Sequence, residues 1–244
     1  DIASGRFIGQ PLTVFYDLKK IGIWQKGQED EAAKFGDKVG QIRVADINGR
    51  DANGNLTGQP DGKINADDRQ ILGSAVPKLV AGLTNRFSYK GFDLSFFLYG
   101  RFGQQIRSRF HIDQNKLAGR YNNLDIDYWT PNNPTNNFPQ PVVTQEFPKY
   151  DVTLQYMDGS FLKVRNINIG YNIPSRVASK LKMESFRVFS SIQQPFIFAD
   201  YIRNQGGVDP ETFVDGETGV GGGDINSNIS PAIRTMTIGV NIRF

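Results

Sequence analysis

Along six stretches of this 244-residue chain, apolar and polar positions alternate one for one. The clearest is the last, "AIRTMTIGVNIRF". It puts Met236, Ile238, Val240, Ile242 and Phe244 on one side, and Thr235, Thr237, Gly239, Asn241 and Arg243 on the other. A period of two over that length predicts a β-strand with one apolar and one wet face. In Leu79–Tyr89, Leu79, Ala81, Leu83, Phe87 and Tyr89 alternate with Gly82, Thr84, Arg86 and Ser88. In Phe92–Phe102, Phe92, Leu94, Phe96, Leu98 and Phe102 alternate with Asp93, Ser95 and Arg101. Phe161–Ile173 ends with Ile167, Ile169, Tyr171 and Ile173 against Asn168, Gly170 and Asn172. Phe186–Phe198 sets Val188 and Ile192 against Arg187, Ser191 and Gln193, and a weaker run, Leu12–Lys19, groups Leu12, Val14, Tyr16 and Leu18.

Strands of roughly ten residues are long enough to cross a bilayer at a barrel tilt. The connections between them are very unequal. Lys90-Gly91 has hairpin spacing, and Pro174–Glu184 predicts a one- or two-turn helix opened by proline. Lys20–Lys78, Gly103–Ser160 and Ala199–Pro231 are long, and long and short connections alternate strictly. Loops of that length argue against a compact soluble domain. Outer-membrane barrels instead combine short periplasmic turns with long extracellular loops. With the C-terminus in the periplasm, all three long connections fall outside the cell. The expected fold is therefore all-β: about six C-terminal strands of a large antiparallel transmembrane β-barrel with long extracellular loops. Six strands alone would leave two bare edges in lipid, so residues 1–244 are expected to be a fragment of a larger barrel.

Composition narrows the function. Lys plus Arg is 28 against 25 for Asp plus Glu, a formal net charge of +3. That balance, without any basic run, gives no reason to expect nucleic acid as a partner. There is no cysteine, so no disulfide framework or thiolate metal site exists, and one histidine, His111, is expected in a loop or at a strand end. No window of 18 apolar residues is present, which removes a membrane helix but leaves a barrel open, because barrel strands show lipid only every second residue. The opening "DIASGRFIGQ" has neither basic n-region nor apolar core, so the chain is expected to be processed or an internal piece.

One loop carries a ligand-like spacing. When the eleven residues Arg50–Pro60 are set aside, "DINGRDANGNLTGQPDGKINADDR" leaves Asp, Asn, Asp, Gly, Ile and Asp at positions 1, 3, 5, 6, 8 and 12 of an EF-hand-type loop. Asp46, Asn48, Asp61 and Asp68 would supply side-chain oxygens and Lys63 its carbonyl, making a structural Ca2+ site. The alternative is a loop held by its own Asx turns. The insert "RDANGNLTGQP" is expected to bulge out as a hairpin-like excursion, since "ANGN" is turn chemistry.

These motifs resemble, in order, those of the SusC/RagA-type TonB-linked outer membrane proteins of Bacteroidetes. "DING…DGKINADDRQILGSAVPKLVAGL" is similar to that family's "D-x-NGDG-x-I-x-x-x-DR-x-x-xG-x-x-x-P-x-x-x-xG" segment, which normally lacks the insert. "SYKGFDLSFFLYGRFG", "YWTPNNPTNNFPQP", "DGSFLKVRNINIGYNIP", "FRVFSSIQQPFIFADY" and "SPAIRTMTIGVNIRF" resemble the stretches that follow in it. The resemblance covers nearly the whole chain from about Gly9. It implies a plugged, 22-stranded barrel in the cell outer membrane, with the plug domain and most strands upstream. It also implies TonB-dependent import of glycan or peptide oligomers, a SusD-like surface lipoprotein as partner, and contact with TonB through an upstream segment.

The remaining candidates fit that reading. Tyr89, Phe92, Phe102, Tyr171 and Phe244 fall near strand ends, where interfacial aromatic girdles form. Tyr128 and Trp129, in the second long loop, would either stack on ligand or pack the loop. Phe244, ending an amphipathic strand, is expected to be the signal for the outer-membrane assembly machinery. Gly216–Asp224 lies between no strand and helix and is no phosphate cradle; it is expected at a mobile loop tip. Asp125, Asp127 and Asp151 do not define a hydrolytic pair, so no enzyme is expected. The competing readings are a soluble calcium-stabilised β-sandwich carbohydrate-binding module and a loop-built enzyme.

Overall fold

The computed structural model describes residues 6–12, 14–116, 121–122, 124–211, 224–225 and 232–244. Its strands begin with β1 (Val14–Asp17), β2 (Lys20–Ile23), β3 (Ile42–Val44), β4 (Gln70–Ser74), β5 (Leu79–Tyr89), β6 (Phe92–Phe102) and β7 (Gln105–Ser108). They continue as β8 (Asn115–Lys116), β9 (Tyr121–Asn122), β10 (Tyr156–Asp158), β11 (Phe161–Asn172), β12 (Ser185–Phe198), β13 (Asp224–Ile225) and β14 (Thr235–Arg243). The α-helices are short: α1 (Glu29–Lys34), α2 (Arg109–Gln114), α3 (Ser175–Ala178) and α4 (Asp200–Arg203).

The five long strands form one antiparallel sheet in the order β14-β12-β11-β6-β5. Register carries each apolar set across the sheet as a row: Tyr89 faces Phe92, Phe92 faces Tyr171, Tyr171 faces Val188 and Val188 faces Val240. Phe92 and Tyr171 lie with ring centroids 4.2 Å apart, and Phe102 pairs with Leu79 at the opposite end. The eleven residues of β6, at about 3.4 Å per residue and a barrel-like tilt of about 40°, span roughly 26 Å, the height of an outer-membrane apolar band.

Burial in this sheet is the reverse of that in a water-soluble protein. Leu83, Phe87, Met236, Ile238 and Val240 are all more than half exposed. The deep apolar core lies instead in the long connections. One cluster joins Ile106, Ile126, Phe138, Met157, Tyr201 and Ile225, and a second joins Ile23, Ile42, Val44 and Trp129. The connections are thus a folded body, and among the described residues the sheet's outward face remains without an apolar partner. Burial of that face, at about 25 cal/mol per Å², has to come from lipid or another surface.

The short connections follow from local chemistry. Lys90 and Gly91 both have positive φ, 47° and 87°, the backbone of a type I′ turn that matches strand twist. A side chain at Gly91 would also meet the Asn172 carbonyl oxygen 2.8 Å away. Pro174 caps α3, and a 3-10 turn, Ser179–Leu181, completes the expected helix.

The Leu12–Lys19 run ends differently from its pattern. It yields only the four-residue β1, which pairs with β4 outside the five-stranded sheet. Leu12 is exposed and Phe15, from the other side of the alternation, is the buried residue. The loop body claims Phe15, packing it against Tyr156 at 5.6 Å, and that overrides the period.

Two of the long connections share a small sheet above the wall, in the order β10-β7-β13. β7 and β10 come from the connection between β6 and β11, and β13 from the one after β12. β1 joins them through Asp17, which accepts a hydrogen bond from the Tyr156 hydroxyl at 2.8 Å.

Candidate functional site

Two surfaces on this frame carry polar chemistry: the inward face of the wall and the body built by the connections. On the wall, period-two geometry turns Asp93, Ser95, Asn168, Ser191 and Arg187 to the side opposite the apolar rows. They bond along the sheet: Ser191 Oγ donates to Asn168 Oδ1 at 2.7 Å, Asn168 Nδ2 donates to Ser95 Oγ at 3.3 Å, and Arg187 pairs with Asp93 at 2.7 Å. Gly170 makes room for that ion pair, and Gly239 for the Phe189 ring, which a Cβ would meet at 2.5 Å.

Near the outer end, β11 and β12 leave register together between Val164 and Asn166. A bulge of this kind inserts an unpaired residue and re-aims its neighbours. It places Lys163, Arg165 and Asn166 around one cavity of about 340 Å³ with Gln193, Gln194 and Glu211. Lys163 Nζ is bound by Asp209 at 2.6 Å and Glu211 at 2.5 Å, and Arg165 holds the other Glu211 oxygen at 2.6 Å. Lys163 is 6% exposed and Asp209 9%, so the charges sit where desolvation makes pairing obligatory. The cluster fastens the connection after β12 onto the wall. Lys163 stands at an apolar position of the alternation set by Ile167, Ile169 and Tyr171, and only the bulge turns it to the polar face; partners 46 and 48 positions away carry no sequence signal.

In the Asp46–Asp68 loop, the side chains are turned on the backbone. Asp68 is fully buried, and its oxygens accept from Ile47 N at 2.9 Å, Asn48 N at 3.2 Å and Asn65 N at 2.9 Å. Asp46 accepts from Asp61 N and Gly62 N at 3.2 and 2.7 Å, Asp61 from Lys63 N at 2.9 Å, and Asn48 from Gly58 N at 2.7 Å. Among the described residues no group of three or more acidic or histidine side chains converges as a metal site. Asp46, Asn48, Asp61 and Asp68 thus each turn a side-chain oxygen to backbone N–H groups of their own loop, the Asx-type closure that stands as the alternative to a calcium shell. The insert does form a hairpin-like excursion: Arg50 bridges to Leu56 and Asp51 N donates to Asn55 O at 2.9 Å. Arg50 ties it down with two bonds to Asp67, at 2.7 and 2.5 Å, and this pairing lowers the Asp67 carboxyl.

Tyr128 and Trp129, read as either ligand platform or loop packing, both pack within the second connection. Trp129 is 3% exposed, donates Nε1 to Gln25 Oε1 at 2.8 Å and packs with Ile23, Ile42 and Val44. Tyr128 packs against the other core cluster. Trp129 gives its ring to the loop body's own core, and Tyr128 is half-buried against it. Asp127 serves Asn133, Thr135 and Asn137 as a turn acceptor, and those bonds hold its carboxyl low. Asp151 accepts from Val152 N at 2.9 Å.

His111 is a buried joint. Its Nε2 reaches the Gln205 carbonyl at 2.5 Å. A carbonyl only accepts, so Nε2 carries the proton and Nδ1 accepts from Ser108 Oγ at 2.8 Å. Ser108 in turn accepts from the Tyr201 hydroxyl at 2.6 Å. Burial lowers the His111 pKa from 6.5, against an upward pull from the Gln205 bond. The neutral ring joins the second connection to the third. Phe244 lies just past β14 and is strongly exposed. Gly216–Gly223 lie outside the described residues.

A wall of long antiparallel strands with an apolar outer face, a polar inner face and a folded cap on one side defines part of an all-β transmembrane barrel. Sequence and fold relatives agree with that class. The chain is 27% identical, over its whole length, to "TonB-dependent receptor P3" of Formosa agariphila, and covers 24% of it. To "TonB-dependent receptor SusC" of Bacteroides thetaiotaomicron it is 27% identical over 83% of its length, covering 19% of that protein. Among solved structures, the RagAB peptide transporter matches 94% of the chain at a TM-score of 0.63 and 18% identity, with 22% of that chain covered. No family model matches the chain. The chain therefore resembles SusC/RagA-type TonB-dependent receptors in both sequence and fold, and spans about a quarter of the length of the curated relatives it matches.

Proposed function

We propose that residues 1–244 form the C-terminal wall-and-cap part of a TonB-dependent outer-membrane importer for oligomeric nutrients, glycan or peptide. In this reading a SusD-like lipoprotein partners the outer face, and a plug and TonB-contacting segment belong to the rest of the protein. The observation that carries it is the reversed burial. Large apolar residues lie bare on the long strands, while the connections hold a closed core and ion pairs. A soluble β-sandwich module would bury the strand face and leave the loops thin. The inward polar ladder gives a hydrated path along which an oligomer exchanges water for carboxamide and hydroxyl partners. The test uses the full-length protein in its own cells. Outer-membrane fractionation, then oligomer uptake with and without a proton-gradient uncoupler, should place it in the membrane and abolish uptake on uncoupling. Recovery in the aqueous fraction, or uptake indifferent to the gradient, would contradict the proposal.

A further inference from the structure

The bulge that engages Lys163 and Arg165 in ion pairs leaves the carboxamides beside them unused. Asn166 and Gln193 face each other across β11 and β12 on the inward side, and Gln194 follows at the break in register. All three line the cavity of about 340 Å³, and among the described residues their side chains have no hydrogen-bond partner. Gln193 and Gln194 are exposed and Asn166 is half-buried, so the set is open to the inward side. Gln194 has φ 50°, a left-handed backbone uncommon outside glycine, asparagine and aspartate. Glycine would hold that turn without strain, whereas glutamine adds a long carboxamide to the cavity wall. The row continues on both sides: half-buried Phe97 of β6 pairs with Asn166, and Thr235 of β14 pairs with Gln193. With about 4.8 Å between neighbouring strands, Phe97 to Thr235 spans about 14 Å. In the next row Asn168 is held between Ser95 and Ser191, and Ser191 Oγ can still accept.

The charges around the cavity cancel. Glu211 engages both Lys163 and Arg165, and Asp209 engages Lys163 as well. Arg86 and Arg101, inward cations with no carboxylate partner among the described residues, lie outside the lining. An anion therefore finds no free cation in the cavity, and a cation finds no free carboxylate. What remains are amides and a hydroxyl, each both donor and acceptor, beside an aromatic ring. Neighbouring sugar hydroxyls also donate and accept side by side, and one carboxamide meets such a pair with its N–H and its carbonyl together. The C–H face of a sugar ring packs on the negative face of an aromatic ring. A peptide instead brings varied side chains that need pockets of their own. We propose that the inward side of this bulge is a binding subsite for uncharged oligosaccharide. Asn166, Gln193 and Gln194 hold hydroxyl pairs, and Phe97 packs against a sugar ring. The inference rests on the importer reading for an oligomer on this face, and within it chooses glycan over peptide. The test reads binding to purified protein, so gradient-driven uptake of another oligomer would sink the subsite and leave the importer reading standing.

The experiment passes full-length protein in detergent over immobilised neutral gluco-, xylo-, manno-, galacto- and fructo-oligosaccharides, with oligogalacturonate and mixed-sequence peptides of the same length beside them. At least one neutral series should retain wild type more strongly than the acidic and peptide series do. Gln194→Gly relieves the left-handed backbone and removes only the side chain. It should keep wild-type thermal stability and bind about tenfold more weakly, the loss of one hydrogen-bonded pair. Lys90→Gln should bind as wild type. A readout that needs no variant is hydroxyl-radical oxidation of wild type: the retained neutral series should protect Phe97 and leave Phe147, in the cap, unchanged. No retention by any neutral series, stronger retention by the acidic or peptide series, unchanged binding in Gln194→Gly, or an unprotected Phe97 would overturn the proposal.

Discussion

Replacing Asp68 by alanine removes the acceptor on which the first outer connection closes. The carboxylate is fully buried and takes backbone N–H groups from Ile47, Asn48 and Asn65, at 2.9, 3.2 and 2.9 Å. Hydrogen bonds to a charged group contribute about 1.5–3 kcal/mol each, and orphaned donors carry their own desolvation penalty. Water entering the vacated space recovers part of this, leaving about 3–5 kcal/mol of local destabilisation. Asp68→Asn should cost about half as much. Its single carbonyl can still serve Ile47 and Asn48, while its amide confronts the Asn65 N–H donor to donor. Native-state hydrogen exchange on the full-length protein reads this directly. At about 1.4 kcal/mol per decade, protection of the Ile47, Asn48 and Asn65 amides should fall by a hundredfold or more in Asp68→Ala and by about tenfold in Asp68→Asn. Chelator should leave the wild-type protection unchanged. Undiminished protection in Asp68→Ala would refute the hydrogen-bond account, and protection lost on chelation would assign the closure to a cation.

Lys163→Met removes the buried cation shared by Asp209 and Glu211 and should destabilise the wall-to-loop contact by about 2–4 kcal/mol; protease cleavage near residues 204–211 should accelerate, and Asp209→Asn with Glu211→Gln in the same chain should restore most resistance. His111 is favoured neutral in the fold, so as pH falls below about 6.5 the unfolded chain takes the proton first and the loop body loses stability; a pH series of thermal unfolding should show this slope, flattened in His111→Gln. Deleting Phe244 should lower the amount in the outer membrane more than Phe102→Ala, and an insertion after Thr237 should be worse, since it turns Ile238, Val240 and Ile242 inward.

The wall was legible because each of its strands states its own two faces in sequence, and lipid asks for nothing more specific than apolar area. Leu79–Tyr89 and Phe92–Phe102 appear at the boundaries the alternation gives. The connections were not legible in that way, because their core is assembled from residues far apart in the chain. Trp129 reads as either a ligand platform or loop packing until Gln25 and Ile42 are brought beside it. Phe15 sits on the apparently polar side of its run and is buried all the same. The β11 bulge at Arg165 is marked by Lys163 and Arg165, two charges at apolar positions of the alternation, and by Pro195, which removes a ladder donor across the pair. The Asp46–Asp68 spacing was read for its oxygens, and backbone N–H groups compete for the same lone pairs.

The central claim is that the five-stranded sheet crosses the outer membrane with its long connections outside. The described chain has no cysteine, so single cysteines in a cysteine-free full-length protein test it with an impermeant maleimide on intact cells. Val143, 84% exposed in the second long connection, should label at once when replaced by cysteine. Lys90, in the two-residue turn between β5 and β6, should label as cysteine only after the outer membrane is permeabilised. Labelling at position 90 in intact cells, or none at position 143, would contradict the account.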